Sequence, residues 1–328
     1  MSNLLASLRS SSSALDALEQ SVSVSQNNVM NASTPGYVRQ RMGLKSLDFL
    51  PDAGLFGGVS AAGIQGARDQ YAEQAVRSQV TLQGAANQSV ASLSALENAF
   101  PINTASGIPA ALNRMFQSFT AWSVAPNSTA AKQNVIAAAE TVAQSFQQVA
   151  TALSKATTDA DRDLRGTIDH INNLGEKLSA YNLQRRQQQG VDAGLDAQIH
   201  ETLEQLSELV DFQALNQEDG TISILIGGQV SLVVGEKSYA LEARFEHAVD
   251  PPANAGAVPA ARIYDSAGRE VTTLTRGGKL GSLLEFRNTT LPHFQGDGQQ
   301  EGELNRLAKK IADRVNEILS GGYPPPHN

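Results

Sequence analysis

The chain is 328 residues long, 41% hydrophobic but only 5% aromatic, and carries a formal charge of −8 at pH 7. That length holds two or three compact units at roughly 100–200 residues each, with a core drawn from Leu, Val, Ile and Ala that favours long helices over a β-sandwich. The acidic balance excludes a nucleic-acid-binding face, which needs clustered Lys/Arg, and the absence of cysteine excludes disulfides and thiolate metal sites.

The N-terminal segment lacks a charged region followed by an apolar one, so no cleaved secretory signal is expected. No run approaches the ~18 apolar residues of a membrane span, so no membrane insertion is expected. The first 30 residues instead carry a heptad seam. Leu4, Leu8, Ser11, Leu15, Leu18, Val22, Ser25 and Val29 alternate in steps of four and three, the spacing of one helical face that meets a partner. The other faces are mostly Ser, Gln, Asn and Ala. So thin an apolar stripe cannot hold a lone helix in water, and Ser10–Ser13 are weak helix formers. The arm is therefore expected to be disordered in isolation, and an inter-element or intersubunit coiled coil is favoured over ordinary core packing.

The arm stops at Asn31-Ala32-Ser33-Thr34-Pro35-Gly36-Tyr37. Pro35 pushes Thr34 out of the helical region, and Pro-Gly favours a type II turn because Gly36 accepts positive φ. A short β-prone, Gly-rich stretch follows to Val59. A helix is expected from Asp69, as N-cap, to Phe100, with Pro101 as the stop. Further helices are expected over Ile108–Trp122, from a turn and cap at Pro126–Thr129 through Leu153, over Thr158–Gln189, and over Leu195–Val210. In the last, Ile199, Leu203, Leu206 and Leu209 share a face.

The pattern then changes. Thr221–Ile226 and Gln229–Val234 flank Gly227-Gly228, a hairpin signal. Strands are expected near Ser238–Arg244, Ala261–Tyr264 and Val271–Thr275, with a Pro-containing loop over 251–259. Helix returns over Lys279–Asn288 and Glu303–Ser320, and the Gly- and Pro-rich tail cannot continue it. The fold class is mainly α with a smaller β-rich part (α+β). The layout is an arm with its turn (1–40), a helical body (41–212), a β-rich outer domain (213–278) and returning helices (279–328), unlike an alternating α/β enzyme.

No catalytic or metal-binding constellation emerges, and neither an enzyme activity nor a cofactor is expected. Asp159, Asp161 and Asp163 have the opening spacing of a calcium loop, but Leu164 stands where the turn glycine belongs and His170 where the closing Glu belongs. They read as an acidic helix start. His200-Glu201 lacks the second His of a zinc-protease helix and reads as helix surface. Arg185-Arg186 reads as a solvated helix face. Gly277-Gly278-Lys279-Leu280-Gly281 lacks phosphate-loop spacing and reads as a flexible helix entry. A surface adhesin or a secreted enzyme would have to hide its site within about 213–278, where no polar residues converge.

Asn28-Val29-Met30-Asn31-Ala32-Ser33-Thr34-Pro35-Gly36-Tyr37-Val38-Arg39-Gln40 resembles the N-terminal signature of the rod, hook and hook-associated proteins of bacterial flagella. That signature reads Asn-Ile-Ala-Asn-Ala-Asn-Thr-Pro-Gly-Tyr-Ser-Arg-Gln. Arg39-Gln40 after the Tyr is similar to the hook-associated protein 1 family in particular. Met30, Ser33 and Val38 depart from the pattern without removing its turn chemistry. Further similar stretches follow in order, among them Gly58–Ile64, Phe116–Ser128, Leu206–Asp211, Ile226–Gly228 and Lys279–Arg287. Ile199-His200 departs, since members carry Arg-Asp there.

The resemblance implies a structural subunit at the hook–filament junction, secreted to the flagellum through the type III apparatus. Its implied partners are hook protein, hook-associated protein 3, further copies in a ring, and an export chaperone. The residues it singles out are the turn set Asn28, Asn31, Thr34, Pro35, Gly36, Tyr37, Arg39 and Gln40, besides the seam. A hook or rod protein, or hook-associated protein 3, is the alternative within the flagellum. Family members pair a second, C-terminal heptad helix with the arm, and here the sequence reaches Pro324-Pro325-Pro326 where that helix is approached. The chain is expected to carry one half of the axial core.

Overall fold

The computed structural model describes residues 2–34, 36–50, 55–67, 69–101, 106–187, 192–246, 259–297 and 300–321. Three of the longer helices begin where a side chain supplies an acceptor for their first N–H groups. The arm is helix α1 (Ser2–Met30). Asp69 caps α2 (Gln70–Ala99), its Oδ1 accepting from the backbone N–H of Tyr71 at 2.9 Å and Ala72 at 3.3 Å. Helix α3 spans Gly107–Val124, and Ser128 caps α4 (Thr129–Gln187) by accepting from Ala131 N at 3.2 Å. Asp192 caps α5 (Ala193–Leu209), accepting from Gly194 N at 2.8 Å and Leu195 N at 3.2 Å.

Two expectations about these helices are corrected. The break expected between Leu153 and Thr158 is absent, and α4 runs for 59 residues. Nothing between those positions removes a donor or favours a turn. Ala156 is buried, and the Thr157 and Thr158 hydroxyls donate back to the carbonyls of Leu153 and Ser154. Asp159 therefore lies inside a helix and starts none. The stretch after the arm is also larger than expected. It is a long antiparallel hairpin, β1 (Gln40–Leu50) and β2 (Leu55–Gly66), with a register shift between Met42 and Leu44.

The chain divides into two units, and α2 and α4 contribute residues to both. One unit takes residues 1–80, 172–208 and 212–239. It holds the arm, the β1–β2 hairpin and a four-stranded antiparallel sheet, β3 (Phe212–Asn216), β4 (Ile222–Ile226), β5 (Val230–Val234) and β6 (Lys237–Ser238), in sequential order. Ile224, Ile226, Leu232 and Val233 are buried in it. Gly175 of α4 lies so close to this sheet that an added Cβ would stand 3.2 Å from Leu232. On α5 the expected face, Ile199, Leu203, Leu206 and Leu209, is buried.

The other unit takes 81–171, 209–211 and 240–328. Its core joins Leu96, Ile108, Val149 and Leu153 to Phe286, Leu291 and Leu304, with Phe100 and Phe294 in ring contact at 5.1 Å. Strands β7 (Glu242–Glu246) and β8 (Ala260–Tyr264) form a separate two-stranded sheet. The strand expected over Ser238–Arg244 is thus split between two sheets. The strand expected over Val271–Thr275 is a 3-10 turn at Thr272–Leu274. There the Thr272 hydroxyl accepts from Ile263 N at 3.0 Å, so a side chain takes the place of the next ladder bond. Helix α6 (Gly278–Glu285) continues through a π-helical turn, Phe286–Thr290, into α7 (Leu291–Gln295), and α8 spans Glu303–Ser320. The protein is mainly α with a smaller β-rich part. The 251–258 part of the expected loop, and the tail from Gly322, lie outside the described residues.

Candidate functional site

The arm has two faces of opposite character. Ser10, Ser13, Ala14, Ala17, Ser21, Val24 and Asn28 are half-buried or buried, and α1 lies against β2 and β1 through them. These are mostly small side chains, and β2 answers with glycine: a Cβ at Gly58 would stand 2.4 Å from Ser10 Oγ, which itself donates to the Gly57 carbonyl at 2.7 Å. The arm is therefore not a lone helix, since its own hairpin supplies one partner. The seam faces the other way. Leu8 is 68% exposed, Leu15 66%, Leu18 58%, Val22 57% and Val29 78%, whereas Ala17 is 1% and Val24 4% exposed. The Leu4 side chain lies outside the described residues. Between Leu18 and Met30 the seam forms a shallow, largely apolar groove that includes Val22 and Val29. Sequence periodicity located the seam but not the small-residue face behind it, because Ser, Ala and Gly carry no hydropathy signal.

At the end of the arm the turn residues tie themselves into one knot. The Asn28 side chain behaves as a peptide group. Its Nδ2 donates to the Gln40 carbonyl at 2.8 Å, and its Oδ1 accepts from Gln40 N at 2.8 Å and from the Tyr37 hydroxyl at 2.8 Å. Partial burial pushes the Tyr37 phenol above its ordinary pKa, which keeps it a donor. Asn31 Nδ2 donates to the Asn27 carbonyl at 3.0 Å, and Thr34 donates to Asn31 through both its backbone N–H and its hydroxyl. Tyr37 N donates to the Thr34 carbonyl at 3.1 Å and closes the turn. Gly36 sits at φ +73° with its α-carbon against α5, where a Cβ would stand 2.6 Å from the Ala197 carbonyl oxygen. Gln40 is buried, and Arg39 is exposed while its carbonyl accepts from Ala67 N at 3.0 Å. Pro35 lies outside the described residues. The knot thus brings together Asn28, Asn31, Thr34, Gly36, Tyr37 and Gln40, and leaves the Arg39 side chain at the surface.

The other sequence candidates are structural. Asp159 accepts from Lys155 and Arg162, each at 2.7 Å, and those hydrogen bonds hold its carboxyl below the ordinary range. Asp161 pairs at 2.5 Å with Arg287, a guanidinium only 1% exposed, whose Nη2 also donates to the Pro259 carbonyl. Arg185 and Arg186 are not a bare solvated face. Arg185 reaches Asp196 and the Gly220 carbonyl, and Arg186 reaches Glu236 at 2.6 Å. His200 lies between Glu73 at 3.1 Å and Asp196 at 3.7 Å, with a side chain 20% exposed, so it bridges α2 and α5 instead of pointing to solvent.

The segment Gly277–Gly281 is tightly packed where flexibility was expected. A Cβ on Gly281 would stand 1.9 Å from the Arg276 carbonyl oxygen, and one on Gly278 would stand 2.6 Å from Leu209 C and Val210 N. Among the described residues, no group of three or more His, Asp or Glu is arranged to hold a metal ion. A cleft of about 260 Å³ between Phe100, Pro109, Val149, Phe294 and Leu307 is lined almost wholly by carbon, with Glu303 its one charged residue. Such a lining offers packing and no converging catalytic groups.

A family model described as the flagellar hook-associated protein FlgK helical domain matches residues 93–324. The chain is 26% identical to flagellar hook-associated protein 1 of Bacillus subtilis, over 98% of this chain and 68% of the relative. It is 24% identical to the Escherichia coli protein of that name and 25% identical to the Salmonella typhimurium one, covering 95% of this chain and 56% of each relative. The chain thus spans between about half and two thirds of the relatives it matches. Its fold is similar to that of the flagellar hook junction protein FlgK from Burkholderia pseudomallei, with a TM-score of 0.54 at 22% identity over 66% of this chain and 39% of the other. The family model covers well over half of the sequence, and the chain belongs to the flagellar hook-associated protein FlgK family.

Proposed function

We propose that this chain is a structural subunit of the bacterial flagellum at the hook–filament junction, and that the seam of α1 is its assembly surface. The observation that carries the reading is the exposure of Leu8, Leu15, Leu18, Val22 and Val29 along one face of a helix whose opposite face is occupied by its own hairpin. Five large apolar side chains in register are costly to leave in water. Each contributes about 1–2 kcal/mol when a partner covers it. The relatives' names, and the hook junction assignment of the Burkholderia protein, support the location.

The subunit is exported to the flagellum and acts by packing, not by catalysis. Its neighbours are further copies in a ring, hook protein on one side and hook-associated protein 3 on the other, with an export chaperone before assembly. A chain without cysteine suits passage in an unfolded state, because it cannot cross-link on the way. The knot residues orient the arm, and the β-rich residues 213–278 face outward.

The test is a double substitution, Leu15→Asp with Leu18→Asp. Both side chains are exposed, so circular dichroism and the thermal midpoint should stay those of the parent, while incorporation at the hook end of a strain lacking the native gene is lost. Normal incorporation of the double variant would remove the seam as the assembly surface.

A further inference from the structure

We propose that Asn28 is the positioning residue of the arm: its side-chain amide fixes the direction in which α1 presents its seam. The inference rests on the reading of that seam as the assembly surface.

The packing of α1 on its hairpin is weak in apolar terms. Among the described residues of α1, the buried hydrophobic side chains are Ala17 and Val24, and the rest of that face is Ser, Ala and Asn. Small residues allow close approach but interlock little, so they resist sliding and tilting poorly. The directional bonds are concentrated at Asn28. One amide there satisfies the N–H and the C=O of Gln40, the first residue of β1, and also receives the Tyr37 hydroxyl. Outside this knot, Ser10 to Gly57 is the other side-chain hydrogen bond from α1 to the hairpin among the described residues.

Leverage enlarges any slack at this site, against which the Ser10–Gly57 bond is a restraint near the far end. Leu8 lies twenty residues before Asn28, which is about 30 Å along the axis at 1.5 Å per residue. A tilt of about 10° at Asn28 swings Leu8 sideways by about 5 Å. A sideways shift of that size takes the knob out of its hole, and a heptad seam cannot absorb it. A residue at the pivot therefore governs the seam without touching it.

The chain contains no cysteine, so two introduced thiols, Ser12→Cys on the arm and Glu204→Cys on α5, can carry spin labels in the otherwise intact protein. Pulsed electron resonance then reads the distance between arm and body. Asn28→Ala should broaden that distribution about twofold, since three hydrogen bonds are lost, and Tyr37→Phe should broaden it less while leaving packing intact. Asn28→Asp gives a readout that mere packing would not move. Its carboxylate repels the Gln40 carbonyl at neutral pH, and its protonated form restores the donor, so the distribution should be broad at pH 7 and narrow again on acidification. A narrow distribution in Asn28→Ala, or an Asn28→Asp distribution that ignores pH, overturns the positioning role. If Asn28→Ala does not fold, an unchanged width in Tyr37→Phe overturns it instead. Incorporation at the hook end separates the two ideas. A broadened arm with unimpaired incorporation keeps Asn28 as the pivot and removes the seam reading.

Discussion

Among the described residues, Asn28 is one of three asparagines that do the same thing. Asn182 on α4 donates to the carbonyls of Ile222 at 2.8 Å and Gly235 at 2.6 Å, and accepts from Ile222 N at 2.9 Å. Asn288 accepts from Ala261 N and donates to the Ala261 carbonyl, each at 2.8 Å. In each case a helix-borne amide stands in for the next strand and satisfies both backbone groups of a strand residue. The bond is worth most where water is excluded, because a lost partner leaves buried groups unpaired. Asn182 is 1% exposed. Asn182→Ala should therefore lower unfolding free energy by about 3 kcal/mol, from roughly 1–3 kcal/mol per orphaned group, as read from urea denaturation. A loss below 1 kcal/mol would mean that water replaces the amide. Such residues are hard to read in a sequence. Asn28 stood out because a resemblance surrounds it, whereas Asn182 sits between Tyr181 and Leu183 with nothing to mark its partner forty positions away.

At the scale of elements, local signals served well wherever the deciding interaction is local. The caps at Asp69 and Ser128, the apolar face of α5 and the Gly227-Gly228 hairpin depend on neighbours within a few residues, and each is where it was expected. The errors fall where distant residues decide. The break expected between Leu153 and Thr158 does not form, because Leu153 and Ala156 anchor α4 in a core shared with Phe286 and Leu291. Burial on that scale outweighs a few tenths of a kcal/mol of propensity.

Gly277–Gly281 misled in the opposite sense. Consecutive glycines suggest freedom, yet here they permit contact with the backbone of Leu209 and Val210. Gly281→Ala should cost more than about 3 kcal/mol, in the range of overpacked cores, and lower the thermal midpoint accordingly. A midpoint within two or three degrees of the parent would show that Arg276 can yield.

For the whole molecule, a net acidic charge beside an apolar seam would separate solubility from the proposed assembly. The net charge of −8 opposes close approach of copies, and salt screens that repulsion. The seam positions are Leu, Val and Ser, flanked mostly by Ser and Gln with Arg9, Asp16 and Glu19 beside them, so its attraction is mainly apolar and has little Coulombic part to screen. Self-association should then strengthen as sodium chloride rises from about 0.05 to 0.5 M, the reverse of a salt-bridged coiled coil. Sedimentation velocity reads the outcome, and weaker association in high salt would point to an ionic contact elsewhere.

The two serines in the seam act as punctuation. Ser11 and Ser25 interrupt the apolar series fourteen residues apart, leaving two shallow gaps among large side chains. A partner that fills both gaps is matched in that alignment. Slipped by a single heptad, its bulky group for Ser11 would land on Leu18, while a slip of two heptads would bring gap onto gap and lose only the overhang. If the seam is the assembly surface proposed above, the arm encodes its own alignment by what it omits, rejecting the nearest wrong register more strongly than a distant one. A filled gap, as in Ser25→Leu, would tighten the grip and blur the address.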